Sequence, residues 1–397
     1  MVVLIETGDM NQGRLIFTQV SEMIYRKEFD RCVDLHPMPR SSRGMSARDH
    51  FLAMLFAQLT FRESLRDIEA CLRNSEHLHA MGIRGNITRT NLAYANEHRD
   101  WRVYEALGRI LIRKARRLYA GDSNGLDLDE IVYAVDSSTI DLCLSMFPWA
   151  KFKTTKSAIK LHTQIDLVGS IPVFICLTEG ALHDVHFIDA MFFEAGSIYV
   201  FDRGYLDFAR LYRIVEAGAF FVIRSKKNTK FSVRESRRVD KTTGLRCDQS
   251  IRLSSPKGMK NYSVKLRRIG YFDEETGKRL TFLTNNFSLP ALKVAAIYKN
   301  RWKIELFFKW IKQNLRIKVF YGTSENAVYS QIWIAISSYL MVACLNKTYE
   351  IDGSLSKILQ ILSVNVFQKT PVSVLFSKQS LEKSELKSEN QLLLKGF

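Results

Sequence analysis

Apolar positions change their rhythm along this chain. Near the start, Leu15, Val20, Met23 and Ile24 space as one face of a helix. HPMPRSSRGMS, residues 36–46, predicts a break, with its two prolines and serine cluster. The apolar run from Phe51 to Phe61 reads as a buried helix, and 62–73 alternates charge around Leu65, Ile68 and Leu72 at helical spacing. Thr88–Arg99 reads as a third short helix, followed by a basic helix ending in RKARRLYAG. Residues 12–120 are therefore expected to be helical, either as a helix-turn-helix or as an ordinary bundle. There is no internal repeat.

From 128 the period shifts to that of strands. EIVYAVDSSTIDL is a β-branched run, and IKLHTQIDLVG and IPVFICLTEG join at Gly169-Ser170 as a hairpin. HDVHFIDAMFFEAG reads as a helix ending at Gly196. SIYVFDRGY follows as a short strand, LDFARLYRIVEAG as a helix and AFFVIRSK as a strand. Hairpins first and crossovers later predict a mixed sheet flanked by helices, an α/β fold. Residues 226–288 carry short strands with turn signals, an antiparallel insertion. One long helix is expected from Pro290 to about Arg316, and a second, apolar helix over 325–345. The expected organisation is a helical region over 1–120, a first core segment over 121–225, the β insertion over 226–288, core helices over 289–347 and a tail over 348–397.

Composition narrows the classes. Apolar residues make up 46%, and only 20 glycines and 7 prolines occur, so the chain is neither disordered nor collagenous. No basic stretch followed by an apolar run opens it, so no leader is expected. The six cysteines lie far apart without a CxxC, which argues against a zinc ribbon or disulfide scaffold and fits a reducing compartment. AVYSQIWIAISSYLMVACL, 327–345, is uncharged and long enough to span a bilayer, but Ser330, Gln331, Ser337 and Ser338 interrupt it. A core helix and no membrane partner are expected.

Charge is unevenly placed. The whole chain is +17, and residues 226–318 alone hold 24 Lys/Arg against 7 Asp/Glu. Residues 121–225 hold 8 against 14. A basic block that equals the whole excess points to a polyanion, most simply nucleic acid. In 1–120 the basic residues are nearly all arginine, which suits bidentate contacts to phosphate or guanine.

Three carboxylates stand out. Asp136 in YAVDSST and Asp202 in YVFDRGY each follow an apolar strand, so both are expected at the carboxyl edge of the sheet, where open α/β sheets bind ligands. On the long helix, with Tyr298 at zero, Arg301, Glu305 and Lys312 fall at about −60°, −20° and −40° at 100° per residue. Ile297, Ile304, Phe307, Phe308, Ile311 and Leu315 crowd the opposite side as a buried face. A solvated charged face would share that period; one acid among cations, with a tyrosine in line, favours a working stripe. His183 and His186 lack a third His or Cys nearby, so zinc is not expected. Trp149, Trp302 and Trp310 are expected in the core.

The spacing Tyr298-x2-Arg301-x3-Glu305-x6-Lys312 resembles the signature of DDE transposases from bacterial insertion sequences, and Asp136 in DSS and Asp202 in DRGY match the places of the first two catalytic acids. The resemblance covers roughly 125–347. It implies an RNase H-like sheet, catalytic and metal-ligating roles for Asp136, Asp202 and Glu305, and DNA contacts by Tyr298, Arg301 and Lys312. It also implies Mg²⁺ (or Mn²⁺) as cofactor. The partners implied are double-stranded DNA, as element inverted repeats and target, and a second copy on paired ends. The expected location is the cytoplasm, at the nucleoid. Two cations about 4 Å apart suit phosphodiester cleavage, and three acids without a Cys/His cage suit Mg²⁺. A nuclease without strand transfer and a non-catalytic DNA-binding regulator remain alternatives.

Overall fold

The computed structural model describes residues 13–37, 44–73, 75–123, 125–315, 317 and 319–377. Most of the expected break at 36–46 and the last part of the tail lie outside the described residues. Six helices come first: α1 Ile16–Ser21, α2 Arg26–Leu35, α3 Ala47–Leu59, α4 Leu65–Arg73, α5 Arg89–His98 and α6 Arg102–Tyr119. Then follow β1 Val132–Leu142, β2 Lys151–Lys153, β3 Lys156–Asp166, β4 Ile171–Glu179, β5 Ile198–Phe201, α7 Phe208–Glu216, β6 Phe220–Arg224, β7 Phe231–Arg237, β8 Leu245–Leu253, α8 Pro256–Asn261, β9 Leu266–Asp273 and β10 Lys278–Thr284. The chain continues with α9 Ala291–Asn300, α10 Trp302–Asn314, α11 Glu325–Thr348, α12 Leu355–Asn365 and α13 Val372–Leu375.

These elements form two compact units, one of Met1–Leu118 with Trp310–Phe397, the other of Tyr119–Lys309. In the first, α3 and α11 are apolar on nearly every side, as helices inside a bundle must be. Helix α11 contains the uncharged stretch of the sequence, and residues 327–345 are buried throughout. Gly108 on α6 permits close packing, since a Cβ there would stand 2.8 Å from the Trp333 ring. His50 is buried on α3, with Nδ1 2.6 Å from the Tyr104 hydroxyl and Nε2 2.9 Å from Asn96 Oδ1. Arg99 spends its guanidinium on the carbonyls of Met45 and Ser46. No tight turn joins α4 to α5, whereas only residues 99–101 separate α5 from α6.

In the second unit one mixed sheet runs β2-β3-β1-β5-β6-β10-β9-β8-β7, with β4 on β3. β1, β5 and β6 are parallel neighbours, and the other pairs are antiparallel. The β3–β4 hairpin turns at Gly169 (φ 67°) and Ser170 (φ 56°), the positive pair that matches strand twist. Strands of the basic block continue the central sheet, because β10 pairs with β6. Tyr133, Val135, Tyr199 and Phe201 join Phe187, Ile188, Met191, Leu211 and Ile214 in a buried cluster on one face. Side chains alternate along a strand, so Ala134 and Val200 face the other side, and they too are fully buried.

Three expectations change. Residues 184–190 form a 3₁₀ turn rather than a helix reaching Gly196, and Met191 leaves it in extended backbone. Phe187, Ile188 and Met191 all reach the same cluster that way. The long helix divides at Arg301, where Arg301 N bonds Tyr298 O and Ile304 N bonds Arg301 O, a tighter winding than the α-helical one. Trp302, at that division, is 58% exposed rather than core.

Candidate active site

The sheet places the first two acids by register. β1 and β5 pair in parallel through Val135 opposite Phe201, so the next residues, Asp136 and Asp202, stand side by side. Both have the parity of Ala134 and Val200 and so leave the sheet on the face away from the aromatic cluster. One detail differs from the expectation. Asp136 is not at a strand end, because β1 runs on to Leu142 through its antiparallel pairing with β3. It stands instead where the parallel ladder stops.

The helices α9 and α10 supply the rest. Arg301 Nη1 donates to Asp136 Oδ2 at 2.7 Å and Nη2 to Glu305 Oε1 at 2.5 Å. The Tyr298 hydroxyl donates to Asp202 Oδ1 at 3.3 Å, and its ring lies 4.8 Å from that of Phe282. Backbone N–H groups fill other positions, Ser137 N on Asp136 Oδ1 at 2.8 Å and Gly204 N on Asp202 Oδ2 at 3.3 Å. The structure thus gathers Asp136, Asp202, Tyr298, Arg301 and Glu305. Lys312, in the last turn of α10, belongs to the other unit.

Electrostatics separate the two aspartates. Burial pushes Asp136 up to about 6, and the charges of Asp202 and Glu305 push the same way against Arg301 and the Ser137 N–H. For Asp202 burial also pushes up, but the N–H groups of Arg203 and Gly204, the Arg301 charge and the Tyr298 hydroxyl outweigh it and hold it below the usual range. Burial raises the Tyr298 phenol, so it stays a donor near neutrality.

Three carboxylates around one guanidinium form a set of hard oxygen donors, the chemistry that suits Mg²⁺-type ions. A desolvated Asp136 beside two further acids leaves this cluster short of positive charge, which fits such an ion. Among the described residues, no three Asp, Glu, His or Cys side chains already stand at metal-ligand spacing. Arg301 bridges Asp136 and Glu305 instead.

Behind Asp136 lies a layer the sequence did not single out. Ser137 Oγ donates to Asp184 Oδ1 at 2.9 Å, and Lys160 Nζ is 3.0 Å from the same oxygen. The signal lay in the DSS triplet, because alternation sends Ser137 to the face opposite Asp136. His186 accepts from Arg210 Nη2 at 3.1 Å, within a cluster around Asp189.

Residues 127–341 match the transposase DDE domain family, and residues 12–84 match a domain of unknown function. The chain is 31% identical to a Sinorhizobium fredii protein named as transposase y4zB, over 61% of this chain and 68% of that protein. It is 29% identical to a Geobacillus stearothermophilus protein named as the transposase for insertion sequence element IS5377, over 61% of this chain and 64% of that one. A solved piggyBac transposase synaptic complex with hairpin DNA superposes at TM-score 0.45 and 9% identity, over 88% of this chain and 77% of that chain.

Proposed function

The chain belongs to the transposase DDE domain family, and from that premise we propose that it binds the terminal inverted repeats of an insertion sequence and catalyses metal-dependent cleavage and strand transfer of DNA. The reading is carried by one observation: Asp136 and Asp202 stand side by side, and Arg301 ties Asp136 to Glu305. The strand order β4-β3-β1-β5-β6, antiparallel and then parallel, supports an RNase H-like core. The protein works as a homodimer on paired ends, on the nucleoid.

Asp136, Asp202 and Glu305 would hold Mg²⁺ or Mn²⁺, which when bound would supply activation of the attacking oxygen and stabilisation of the leaving one. The protein's own part is to keep these half-buried acids together. Arg301 is the cation that lets Asp136 and Glu305 share it. When a DNA strand enters, Arg301 is positioned to offer a bidentate grip to a phosphate, and Lys312 supplies a point charge to the DNA backbone. Tyr298 orients Asp202 and lends a hydroxyl or ring to the bound nucleotide. The basic strands β7–β10 hold flanking phosphates.

The test is a plasmid carrying the element's ends, incubated with the full chain and Mg²⁺. Cleavage at the ends and joined strand-transfer products are expected. Asp136→Ala, Asp202→Ala and Glu305→Ala should each abolish them while end binding persists. A variant that still cleaves at near the unaltered rate removes that residue from the site.

A further inference from the structure

We propose that the groove between α2 and α6 is a docking surface for the phosphodiester backbone of duplex DNA. The inference rests on the function proposed above and names where the helical unit takes hold of the substrate. The groove encloses about 630 Å³, and all of its lining lies within one compact unit. Its α6 wall is a row of exposed arginines. With Arg102 at zero and about 100° per residue, Arg109, Arg113 and Arg117 fall near −20°, +20° and +60°. Ala106 and Ile110, half-buried, lie along the same face and keep its floor low. Exposed Arg31 comes from the α2 wall.

Pairing leaves this row short of counter-charge. Arg102 is 3.3 Å from Asp100, Arg109 is 2.8 Å from Glu105, and Lys114 is 2.5 Å from Glu28. Among the described residues Arg31, Arg113 and Arg117 have no carboxylate within salt-bridge distance. Six cationic side chains against Glu28 and Glu105 select a polyanion over an apolar or basic partner helix. The stripe is about 22 Å long at 1.5 Å per residue. A duplex segment of that axial length carries about six phosphates on each strand, one per 3.4 Å or so of helix axis. Guanidinium forks one to two turns apart suit such a row better than ammonium groups, since each grips one phosphate with two donors.

The experiment is fluorescence anisotropy of the full chain, in EDTA, on a labelled duplex bearing the element's end and on a scrambled duplex, between about 50 and 200 mM salt. Arg113→Ala/Arg117→Ala is compared with Arg66→Ala/Arg73→Ala on the exposed side of α4. The groove pair should flatten the slope of log affinity against log salt by about 2, and weaken both duplexes by the same factor, as phosphate contacts do. The α4 pair should leave the slope alone. Arg113→Lys/Arg117→Lys keeps the charge and should keep most of the slope, which guards against a folding defect in the alanine pair. Equal slopes for the two alanine pairs, with steep binding by the unaltered chain, overturn the groove while the function above stands. A groove pair that loses self-association on sedimentation instead of DNA affinity also overturns it and gives the surface to a second copy. If the unaltered chain binds neither duplex, both readings fall together.

Discussion

Asp248 and Asp136 are carboxylates on strands of the same sheet, each gripped by an arginine, yet their surroundings are opposite. Asp248 on β8 is 5% exposed and takes both forks of Arg267, Nε to Oδ1 at 2.8 Å and Nη2 to Oδ2 at 2.7 Å. Arg267 spends its remaining N–H groups on the carbonyls of Asn286 and Leu289. Arg237 Nη1 adds a longer contact to Asp248 Oδ1 at 3.3 Å, and the group is closed. Asp136 shares its arginine with Glu305, sits beside Asp202, and leaves Arg301 Nε buried without an acceptor. The comparison separates a charge kept for structure from one kept for chemistry: the first has every donor matched, the second a surplus of acid.

Activity gives the widest separation. Replacing Asp136, Asp202 or Glu305 by alanine should cost at least about three decades in end cleavage, or roughly 4 kcal/mol of transition-state stabilisation. Asp136→Asn should leave the melting temperature nearly unchanged, since it removes a charge that burial already disfavours and keeps an oxygen for Arg301. Asp248→Ala inverts the pattern. It strands Arg267 without its partner and should cost about 3–5 kcal/mol of stability. Thermal melts set beside cleavage rates decide this, and an Asp136→Asn chain that melts as low as Asp248→Ala would erase the distinction.

Much of the open cluster was legible in the residues. An apolar run closed by an acid occurs at both Asp136 and Asp202, and helical period alone aligned Tyr298, Arg301 and Glu305. The break at Arg301 did not disturb that stripe, because a tight turn still advances the chain by about one-third of a circle. The closed pair was not legible. Asp248 and Arg267 are two charges among the many of a basic block, and only the β8–β9 register, with Gln249 opposite Arg268, brings them together. The segment 184–190 was misread for a related reason: packing of Phe187 and Ile188 overrides a weak local period. Asp184, which opens that turn, is the partner of Ser137 and Lys160.

A third kind of buried titratable group is closed by staying neutral. Burial, and the Arg99 charge after it, lower His50 to about 3; burial, with Lys160 helping and Asp184 opposing, lowers His162 to about 4. Both folded values lie below the unfolded value of 6.5. The unfolded chain therefore takes up protons that the folded chain refuses, and stability falls as pH drops from about 6.5 towards 4. Each histidine contributes a slope of about 1.4 kcal/mol per pH unit in that window. Denaturant unfolding at pH 7 and pH 5 should show the loss, and His50→Gln should remove about half of the part due to these two groups. An unchanged pH dependence in His50→Gln would mean that His50 is protonated in the fold.

The smallest effect expected lies at the rim of the open cluster, on Tyr298. Its hydroxyl reaches Asp202 at 3.3 Å, long beside the usual 2.7–2.8 Å or so for a bond between oxygens. Its ring is held separately, by contact with Phe282. Tyr298→Phe therefore keeps the packing and loses one weak donor, about 0.5–1.5 kcal/mol. Asp202 retains the N–H groups of Arg203 and Gly204 and the charge of Arg301. Cleavage should fall about tenfold or less, with the melting temperature unmoved. Tyr298→Ala removes the ring as well and should cost more in both readouts. The pair of variants thus reports which part of the side chain matters. A fall of more than a hundredfold in Tyr298→Phe, with an unmoved melt, would show that the hydroxyl holds the DNA strand itself, and the open cluster would then extend from Asp202 to the tyrosine.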